Sequence, residues 1–536
     1  MEDLDVRQTH LSRLFFTPDR VYKQLKPVTT PFVSFVDNED RILAATQEFE
    51  LNYRLSPDVY LGLADIEENG DLVDRMIVMR RLPDDRQLDV LLADPDLLES
   101  SAESLLREVA KHVATMHLAE PPVIDDAAAV ATAHTIRTRW QENFEALNPL
   151  VGNVLDAAEF DEVVDLVERY LGGRNALFND RIKNGWVRDG HGDLRAEHLY
   201  CTDDGPRLID CLAFRRDFRV ADVLNDVAFL AMDLHRLISP WAAAVLMRYY
   251  HEFTNEHHQA TLAHHYVAYR AHVRAKIAAI LLAQGEPTAA EEARRYHHLA
   301  WQHLDVGRVR LVLVGGKVGV GKSSVAERLA RRLGATWLRT DEIRKTTALT
   351  GVDEKPSYDQ AARDNVYREM LREAQALLSR GESVVMDATW STERVRAWAR
   401  DLAFQNEAEL AELEVILPLD QAVERIVARV AGDDPSDATP EVAHELDKRF
   451  EVWPQAVSVD NSGSLPSAVA AAVEAVLGRR SEPGEALTMG RHASLIAGSQ
   501  QGRVGVVVAG GADVLSYDSI RFYLRRSTNL IPPVPD

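Results

Sequence analysis

The chain has 536 residues, 46% of them hydrophobic, and a formal net charge of −23 at pH 7. Since one hydrophobic core rarely serves more than about 250–300 residues, this length predicts several domains. The acidic balance argues against nucleic acid as a partner. The sequence contains no run of about 18 apolar residues, no signal-peptide core and no metal-binding cysteine spacing. We therefore expect a cytoplasmic protein with no membrane contact.

Residues 1–85 are predicted to form a small domain of strands around one helix. Residues 19–27 indicate a strand that ends at a proline, and residues 41–55 follow with helical spacing. A second apolar strand at residues 76–79 then runs into a turn-rich connector. This order of strand, helix and strand resembles the small lobe of kinases.

Two lysines and two glutamates of this lobe are candidates for an ion pair whose lysine binds phosphate. Lys23 and Lys26 lie on the first predicted strand, and Glu48 and Glu50 lie on the helix. In kinases a strand lysine contacts the α- and β-phosphates and pairs with a helix glutamate. The residues of this stretch alone leave the choice between the two pairs open.

Residues 86–300 are predicted to form a larger, helical lobe that carries the catalytic loop. His191, Asp193 and His198 lie in a loop that leads into a strand, and Asp210 ends the next strand 17 positions after Asp193. Phosphoryl transfer needs one carboxylate that accepts the proton of the attacking hydroxyl and another that holds Mg²⁺. The two aspartates are candidates for these roles.

The segment His191-Gly-Asp-Leu-Arg-Ala-Glu-His198 resembles the H-G-D-x-x-x-x-N loop of aminoglycoside and choline-kinase-type phosphotransferases. The resemblance implies that Asp193 is the catalytic base, Asp210 the metal ligand and His191 a structural histidine. The later stretch around Asp226 is similar to the part of that family that anchors the loop.

The same resemblance bears on the remaining site residues of this half. It favours Lys23 and Glu48 over Lys26 and Glu50 as the ATP-binding pair. His198 stands where the family has a metal-binding asparagine, so it is a candidate metal ligand, because a neutral imidazole can bind a cation. Mg²⁺ prefers oxygen ligands, however, so either this site uses one well-held metal ion or phosphotransfer here is weakened.

The helical segment from residue 234 to residue 306 is rich in histidine. The pairs His257–His258 and His264–His265 are seven positions apart, so they can share a helix face. We interpret these side chains as surface and half-buried histidines rather than as a zinc site, because zinc needs an arranged third ligand.

Residues 301–480 are predicted to form a nucleotide-binding domain of alternating strands and helices. A buried strand at 309–314 is followed by G-x-x-x-x-G-K-[ST] and by a helix that ends at Gly334. Glycines let backbone N–H groups surround phosphate, and the helix N-terminus attracts anions. The pattern predicts a P-loop whose ATP-binding residues are Gly316, Lys317, Val318, Gly319, Val320, Gly321, Lys322, Ser323 and Ser324.

Four further side chains complete the predicted second site. Asp341 follows a strand and is a candidate to meet the acceptor, while Asp387 ends another strand and, with Ser323, is expected to hold Mg²⁺. Arg425 and Arg429 are one turn apart on a predicted helix and can close over the transferring phosphate. Solvated arginines paired with helix acids are the alternative.

The second half resembles adenylate-kinase-like P-loop proteins of the gluconate-kinase, polynucleotide-kinase and zeta-toxin branch. The whole chain is similar to a bacterial fusion family in which an aminoglycoside-phosphotransferase-like domain precedes an ATP-binding domain. The fold class expected is therefore multidomain α+β and α/β, with a bilobal protein-kinase-like fold followed by a parallel P-loop sheet. Residues 481–536 are predicted to be a partly disordered tail with one strand.

These features predict an ATP- and Mg²⁺-dependent bifunctional kinase that phosphorylates a hydroxyl of a small metabolite such as a sugar or an aminoglycoside-like compound. One alternative makes the P-loop half the active kinase and the first half a substrate-binding pseudokinase, because of His198. Another is an ATP-binding regulatory switch without acceptor-stimulated turnover.

Overall fold

The structure, a computed structural model, describes residues 5–9, 11–29, 34–349, 360–430 and 450–478. The predicted tail of residues 481–536 lies outside them. Across the part of the chain that is described, no helix combines the length and apolar character that crossing a membrane requires. Cys201 and Cys211 are both buried free thiols.

The first lobe is an antiparallel sheet with one helix packed on it. Its elements are β1 (Asp5–Gln8), β2 (Ser12–Phe16), β3 (Arg20–Leu25), α1 (Asn38–Tyr53), β4 (Tyr60–Glu68) and β5 (Asp71–Arg80). The strands are ordered β1-β2-β3-β5-β4. Ala45 and Phe49 of α1 are buried against Val21 of β3 and Ile77 of β5, so the helix is fixed beside the central strands.

The second lobe is largely helical. Its helices are α2 (Leu88–Leu92), α3 (Glu99–Ala119), α4 (Ala133–Leu147), α5 (Ala157–Gly173), α6 (Asn175–Lys183), α7 (Arg216–Arg219), α8 (Val223–Leu237), α9 (Pro240–Thr254), α10 (Ala260–Ala283) and α11 (Ala289–Val306). Two antiparallel ribbons join β6 (Val187–Asp189) to β9 (Val220–Asp222) and β7 (Leu199–Thr202) to β8 (Gly205–Leu208). The predicted catalytic loop lies between β6 and β7.

The third unit is a five-stranded parallel sheet with helices between its strands. Its elements are β10 (Arg310–Gly315), α12 (Lys322–Leu333), β11 (Thr336–Arg339), α13 (Thr340–Leu349), α14 (Gln360–Leu378), β12 (Val384–Asp387), α15 (Glu393–Gln405), β13 (Glu409–Ile416), α16 (Leu419–Val430), β14 (Val457–Asp460) and α17 (Leu465–Leu477). The strand order is β11-β12-β10-β13-β14. All six residues of the central strand β10 are buried, and the five that follow Arg310 within its sequence are Leu, Val and Gly only, as is typical of a parallel strand covered on both faces.

The helical lobe contacts the parallel sheet at the amino ends of the strands. Thr261 donates to the carbonyl of Gly381, just before β12, at 2.6 Å, and Arg174 donates to that of Asn406, before β13, at 2.5 Å. Leu304 of α11 and Met386 of β12 belong to one continuous buried cluster. The predicted fold class is confirmed, whereas the predicted divisions at residues 85, 300 and 480 stay predictions.

Candidate phosphotransfer sites

The first site is centred on a lysine between two carboxylates. Lys23 Nζ on β3 lies 2.6 Å from Glu48 Oε1 on α1, and it also forms an ion pair with Asp210. Lys26 is half-buried and Glu50 is exposed. Of the four candidates in this lobe, the structure therefore pairs Lys23 with Glu48.

The charges of this cluster depend on one another. Burial alone would lower the pKa of Lys23, but the carboxylates of Asp210 and Glu48 outweigh it and raise that pKa. Burial would likewise raise the pKa of Asp210, yet Lys23 and the nearby His198 hold it well below its usual range. Lys23 and Asp210 are thus both charged at neutral pH, as a phosphate-binding lysine and a metal-binding aspartate have to be.

The loop that carries Asp193 is held in place by hydrogen bonds to Asp226 of α8. The buried Asp226 carboxylate accepts the backbone N–H groups of His191 at 2.6 Å and Gly192 at 3.0 Å. A Cβ added at Gly190 would stand 2.5 Å from the same carboxylate, so only glycine fits there. This is the anchoring position that the sequence resemblance assigned to Asp226.

His191 is fully buried, and burial lowers its pKa to about 4. Its Nε2 lies 3.0 Å from the carbonyl oxygen of Ile209, the residue before Asp210. A neutral imidazole that donates this hydrogen bond ties the loop to the strand end that carries Asp210.

Asp193 is half-buried and is held by a residue that the sequence reasoning did not single out. Arg195 donates to its two carboxylate oxygens from Nε at 3.0 Å and from Nη2 at 3.1 Å. Burial alone would raise the pKa of Asp193, but the neighbouring His198 and Arg195 outweigh it and lower that pKa. The spacing of two residues was visible in the sequence, but nothing in the spacing indicates the fork geometry.

His198 lies between the two aspartates. Its Nδ1 is 2.8 Å from the carbonyl oxygen of Asp193, and its Nε2 is 3.7 Å from Asp210 Oδ2. The half-exposed Asp210 carboxylate fits Mg²⁺, which takes oxygen ligands, whereas the imidazole does not. With its Nε2 beside Asp210, His198 fits a role in orienting that carboxylate better than the metal-ligand role of the family's asparagine.

The second site is the P-loop at the carboxyl end of β10. Gly316, Gly319 and Gly321 have positive φ angles of 130°, 85° and 90°, which side-chain-bearing residues rarely adopt. Lys322 Nζ donates to the carbonyl of Lys317 at 2.8 Å, so the lysine folds back over the loop. The other predicted residues, Val318, Val320, Ser323 and Ser324, lie within the loop and the first turn of α12.

Asp387 meets the P-loop at its first helical turn. Asp387 is buried at the end of β12, and Arg339 Nε lies 3.9 Å from its Oδ2. Burial raises the pKa of Asp387, although Ser323 and Lys322 partly oppose the shift. A buried carboxylate next to a hydroxyl, both oxygen donors, fits the Mg²⁺ pair predicted for Ser323 and Asp387.

Three predicted residues of this half lie outside the P-loop itself: Asp341, Arg425 and Arg429. Asp341 is exposed in the first turn of α13 and forms an ion pair with Arg344 at 3.2 Å. Arg425 on α16 donates to the carbonyl of Asn461 at 2.9 Å. Arg429 lies on the same helix, but its side chain is outside the described residues.

Asn461 is a site residue that the sequence analysis did not single out. Its side-chain Nδ2 donates to the carbonyl of Val320 in the P-loop at 2.8 Å, and a Cβ on Gly321 would stand 2.5 Å from that nitrogen. Asn461 directly follows β14, so its position at the carboxyl end of a parallel strand was the available signal.

Comparisons with known proteins agree with this division into two halves. Residues 311–453 match the family model described as an AAA domain. A segment of 57 residues is 53% identical to 2-phosphoglycerate kinase of Thermococcus kodakarensis, covering 10% of this chain and 19% of that protein.

Two solved structures illustrate the likenesses. A gluconokinase from Sinorhizobium meliloti 1021 aligns with 31% of this chain and 91% of its own length, with 22% identity and a TM-score of 0.26. The GDP and kanamycin complex of APH(2")-IIia aligns with 56% of this chain and 93% of its own length, with 14% identity and a TM-score of 0.38.

The relatives that extend across both halves are mycobacterial. Uncharacterized proteins of Mycobacterium tuberculosis and Mycobacterium bovis are 35% identical over 468 residues, which covers 86% of this chain and 93% of each relative. The P-loop, the parallel sheet order and the bilobal first half make these kinase-like, ATP-dependent phosphotransferase domains. The chain belongs to the family of these mycobacterial proteins.

Proposed function

We propose that this protein is a kinase with two nucleotide sites, each of which transfers phosphate from ATP to a hydroxyl of a small metabolite. One observation carries the proposal: each half pairs a lysine with an acid at a strand end. In the first half Lys23 forms an ion pair with Asp210, and in the second the charge of Lys322 lowers the pKa of Asp387 against the effect of burial.

In the first site, Lys23 binds the α- and β-phosphates of ATP and Glu48 keeps its ammonium group in place. Asp193, ionised by its cationic neighbours, accepts the proton of the acceptor hydroxyl as that oxygen attacks the γ-phosphorus. Asp210 would hold Mg²⁺, which would supply positive charge to neutralise the phosphates.

In the second site, the backbone N–H groups of residues 316–323 surround the phosphates and Lys322 reaches the β- and γ-phosphates. Ser323 and Asp387 are the ligands for Mg²⁺. Asp341, exposed at the start of α13, meets the acceptor hydroxyl, and Arg425 is near enough to the loop to contact the transferring phosphate.

The helical lobe and the P-loop lie at opposite edges of the parallel sheet. The helical lobe contacts the amino ends of β12 and β13, whereas the P-loop follows the carboxyl end of β10, a strand length of roughly 20 Å away.

A second candidate function makes only the P-loop half catalytic, with the first half a substrate-binding pseudokinase. The observation that favours it is the set of contacts at the first site. Arg195 occupies both oxygens of Asp193, and an imidazole stands at the position of the second metal ligand.

One experiment separates the two functions. Nucleotide binding per chain is measured by calorimetry, and ADP release is measured with sugars, aminoglycosides, nucleosides and polyols as acceptors. Two active sites predict two nucleotides bound, a loss of about 10²–10⁴-fold in one acceptor-stimulated activity for Asp193→Asn, and about 10²–10³-fold in another for Lys322→Ala.

Two exposed residues provide matched controls, Asp203 in the helical lobe for Asp193 and Arg331 in the P-loop unit for Lys322. Asp203→Asn and Arg331→Ala should keep both activities. Wild-type activity of Asp193→Asn with every acceptor would leave only the P-loop half as a kinase. ATP turnover that no acceptor stimulates would contradict both functions and favour a regulatory switch.

A further inference from the structure

The connection between α9 and α10 brings together three side chains that commonly bind metals. His251 lies in the last turn of α9, the chain reverses at Asn255 with a φ of 50°, and Glu256 and His258 follow. One ligand atom from each of the three side chains lies within 4.8 Å of the others. Within the described ranges, no other group of three or more histidines, cysteines or acids is so close.

The carboxylate of Glu256 is fully buried and held in a fixed orientation. Its Oε1 accepts a hydrogen bond from Arg181, while its Oε2 lies 2.6 Å from Nδ1 of His258. Arg181 also binds both oxygens of the buried Asp222, at 2.8 and 2.6 Å. Two buried carboxylates thus share one guanidinium, which leaves negative charge for a further cation to balance.

Although the sequence pattern favoured no zinc site among these histidines, we propose that His251, Glu256 and His258 form one. Zn²⁺ replaces the proton that Nδ1 of His258 and Oε2 of Glu256 share, and this proton is released to solvent. Zn–N and Zn–O bonds of about 2.0–2.2 Å place tetrahedral ligand atoms roughly 3.3 Å apart, so small side-chain rotations close the present group around the ion.

The donor set selects zinc over the Mg²⁺ of the phosphotransfer sites. Two imidazoles and one carboxylate suit a borderline ion, whereas Mg²⁺ prefers six oxygens. The fourth position is open to water, or to the exposed His257, whose ring centre lies 5.1 Å from that of His251.

The proposed site lies next to the contact between the helical lobe and the P-loop unit. Through Arg181 it is tied to Asp222, the N-cap of the helix α8 that anchors the catalytic loop. Gln259 and Thr261, directly after the site, contact Glu382 and Gly381 of the P-loop unit at 3.5 and 2.6 Å. Zinc here would brace the helical lobe against the parallel sheet.

The test is zinc binding by the full-length protein, purified without a histidine tag and stripped with a chelator. We expect one Zn²⁺ per chain by calorimetry and metal analysis, with a Kd on the order of 1 μM or tighter. His251→Ala and His258→Ala should each weaken binding at least tenfold. His134→Ala, an exposed histidine on α4, is the control and should bind zinc as wild type does.

A wild-type protein that binds no stoichiometric zinc overturns the proposal, as does wild-type affinity in both His251→Ala and His258→Ala. If an alanine variant does not fold, as judged by circular dichroism, Co²⁺ binding to the wild type decides. Intense visible absorption typical of tetrahedral Co²⁺ supports the site, and the weak spectrum of an octahedral ion contradicts it. Neither readout depends on kinase activity.

Discussion

Arg195 determines how the proposed base behaves. Its guanidinium binds both oxygens of Asp193 and also lies 3.2 Å from His198 Nε2. Such a two-point contact keeps the carboxylate ionised and turned toward the loop. In the proposed reaction the arginine has to release one carboxylate oxygen when the acceptor hydroxyl arrives. Arg195 therefore orients the base but also competes with the acceptor for it.

Arg195→Ala is expected to raise the pKa of Asp193, because an attractive charge is removed while burial remains. A base must be ionised, so the acid limb of the kcat/KM profile against pH should move to higher pH. The control is Arg86→Ala, which removes a half-exposed arginine paired with Asp203 at 3.0 Å. An acid limb that stays in place, or moves to lower pH, would show that Arg195 does not set this pKa.

At the scale of elements, helix α8 positions the catalytic loop through one buried side chain. Burial alone would raise the pKa of Asp226, but its hydrogen bond with His117 and the charges around it lower that pKa. Asp226→Asn removes the charge that two loop N–H groups bind and should lower the free energy of unfolding by about 3 kcal/mol.

The sign of the pH dependence follows from the lowered pKa. A carboxylate of this kind contributes its stability above its unfolded pKa of about 3.9 and loses it as the pH falls further. The stability difference between wild type and Asp226→Asn, measured by urea unfolding, should therefore be full at pH 7 and shrink below about pH 4. Asp204→Asn, an exposed control, should show little difference at either pH.

Local patterns predicted the P-loop well because strand, glycines and helix are adjacent in the chain. The P-loop of residues 316–323 could be predicted from the residues that flank it. The strand β10 begins and ends one residue after the predicted limits, and α12 ends one residue before Gly334. Lys23 and Glu48 needed a resemblance, since two lysines and two glutamates fit equally well. Contacts made across the fold, such as Asn461 with Val320, follow from the sheet order and not from any short motif.

At the scale of the whole molecule, the helical lobe and the P-loop unit share one interface. Arg174 is almost fully buried there and donates to the carbonyl groups of Asn406 and Glu407. Apolar residues from both sides join the same core cluster. We therefore expect these parts of the chain to unfold in one cooperative transition rather than as independent domains.

Two adjacent glycines at the end of α5 test this expectation. A Cβ on Gly173 would overlap the backbone oxygen of Asn406, whereas a Cβ on Gly172 would stand 3.8 Å from Glu407 Cγ, an ordinary contact. Both substitutions by alanine favour the helix, by up to about 1 kcal/mol. Only Gly173→Ala has to push the sheet unit away, at a cost of about 1–3 kcal/mol.

Scanning calorimetry should therefore show a single transition for the wild type and for Gly172→Ala, with an equal or higher Tm in the variant. Gly173→Ala should lower the Tm and broaden or split the transition, because the helical lobe no longer seats on the amino edge of the sheet. Two separate transitions in the wild type would contradict the shared core. Equal effects of the two substitutions would mean that the contact at Asn406 does not hold the halves together.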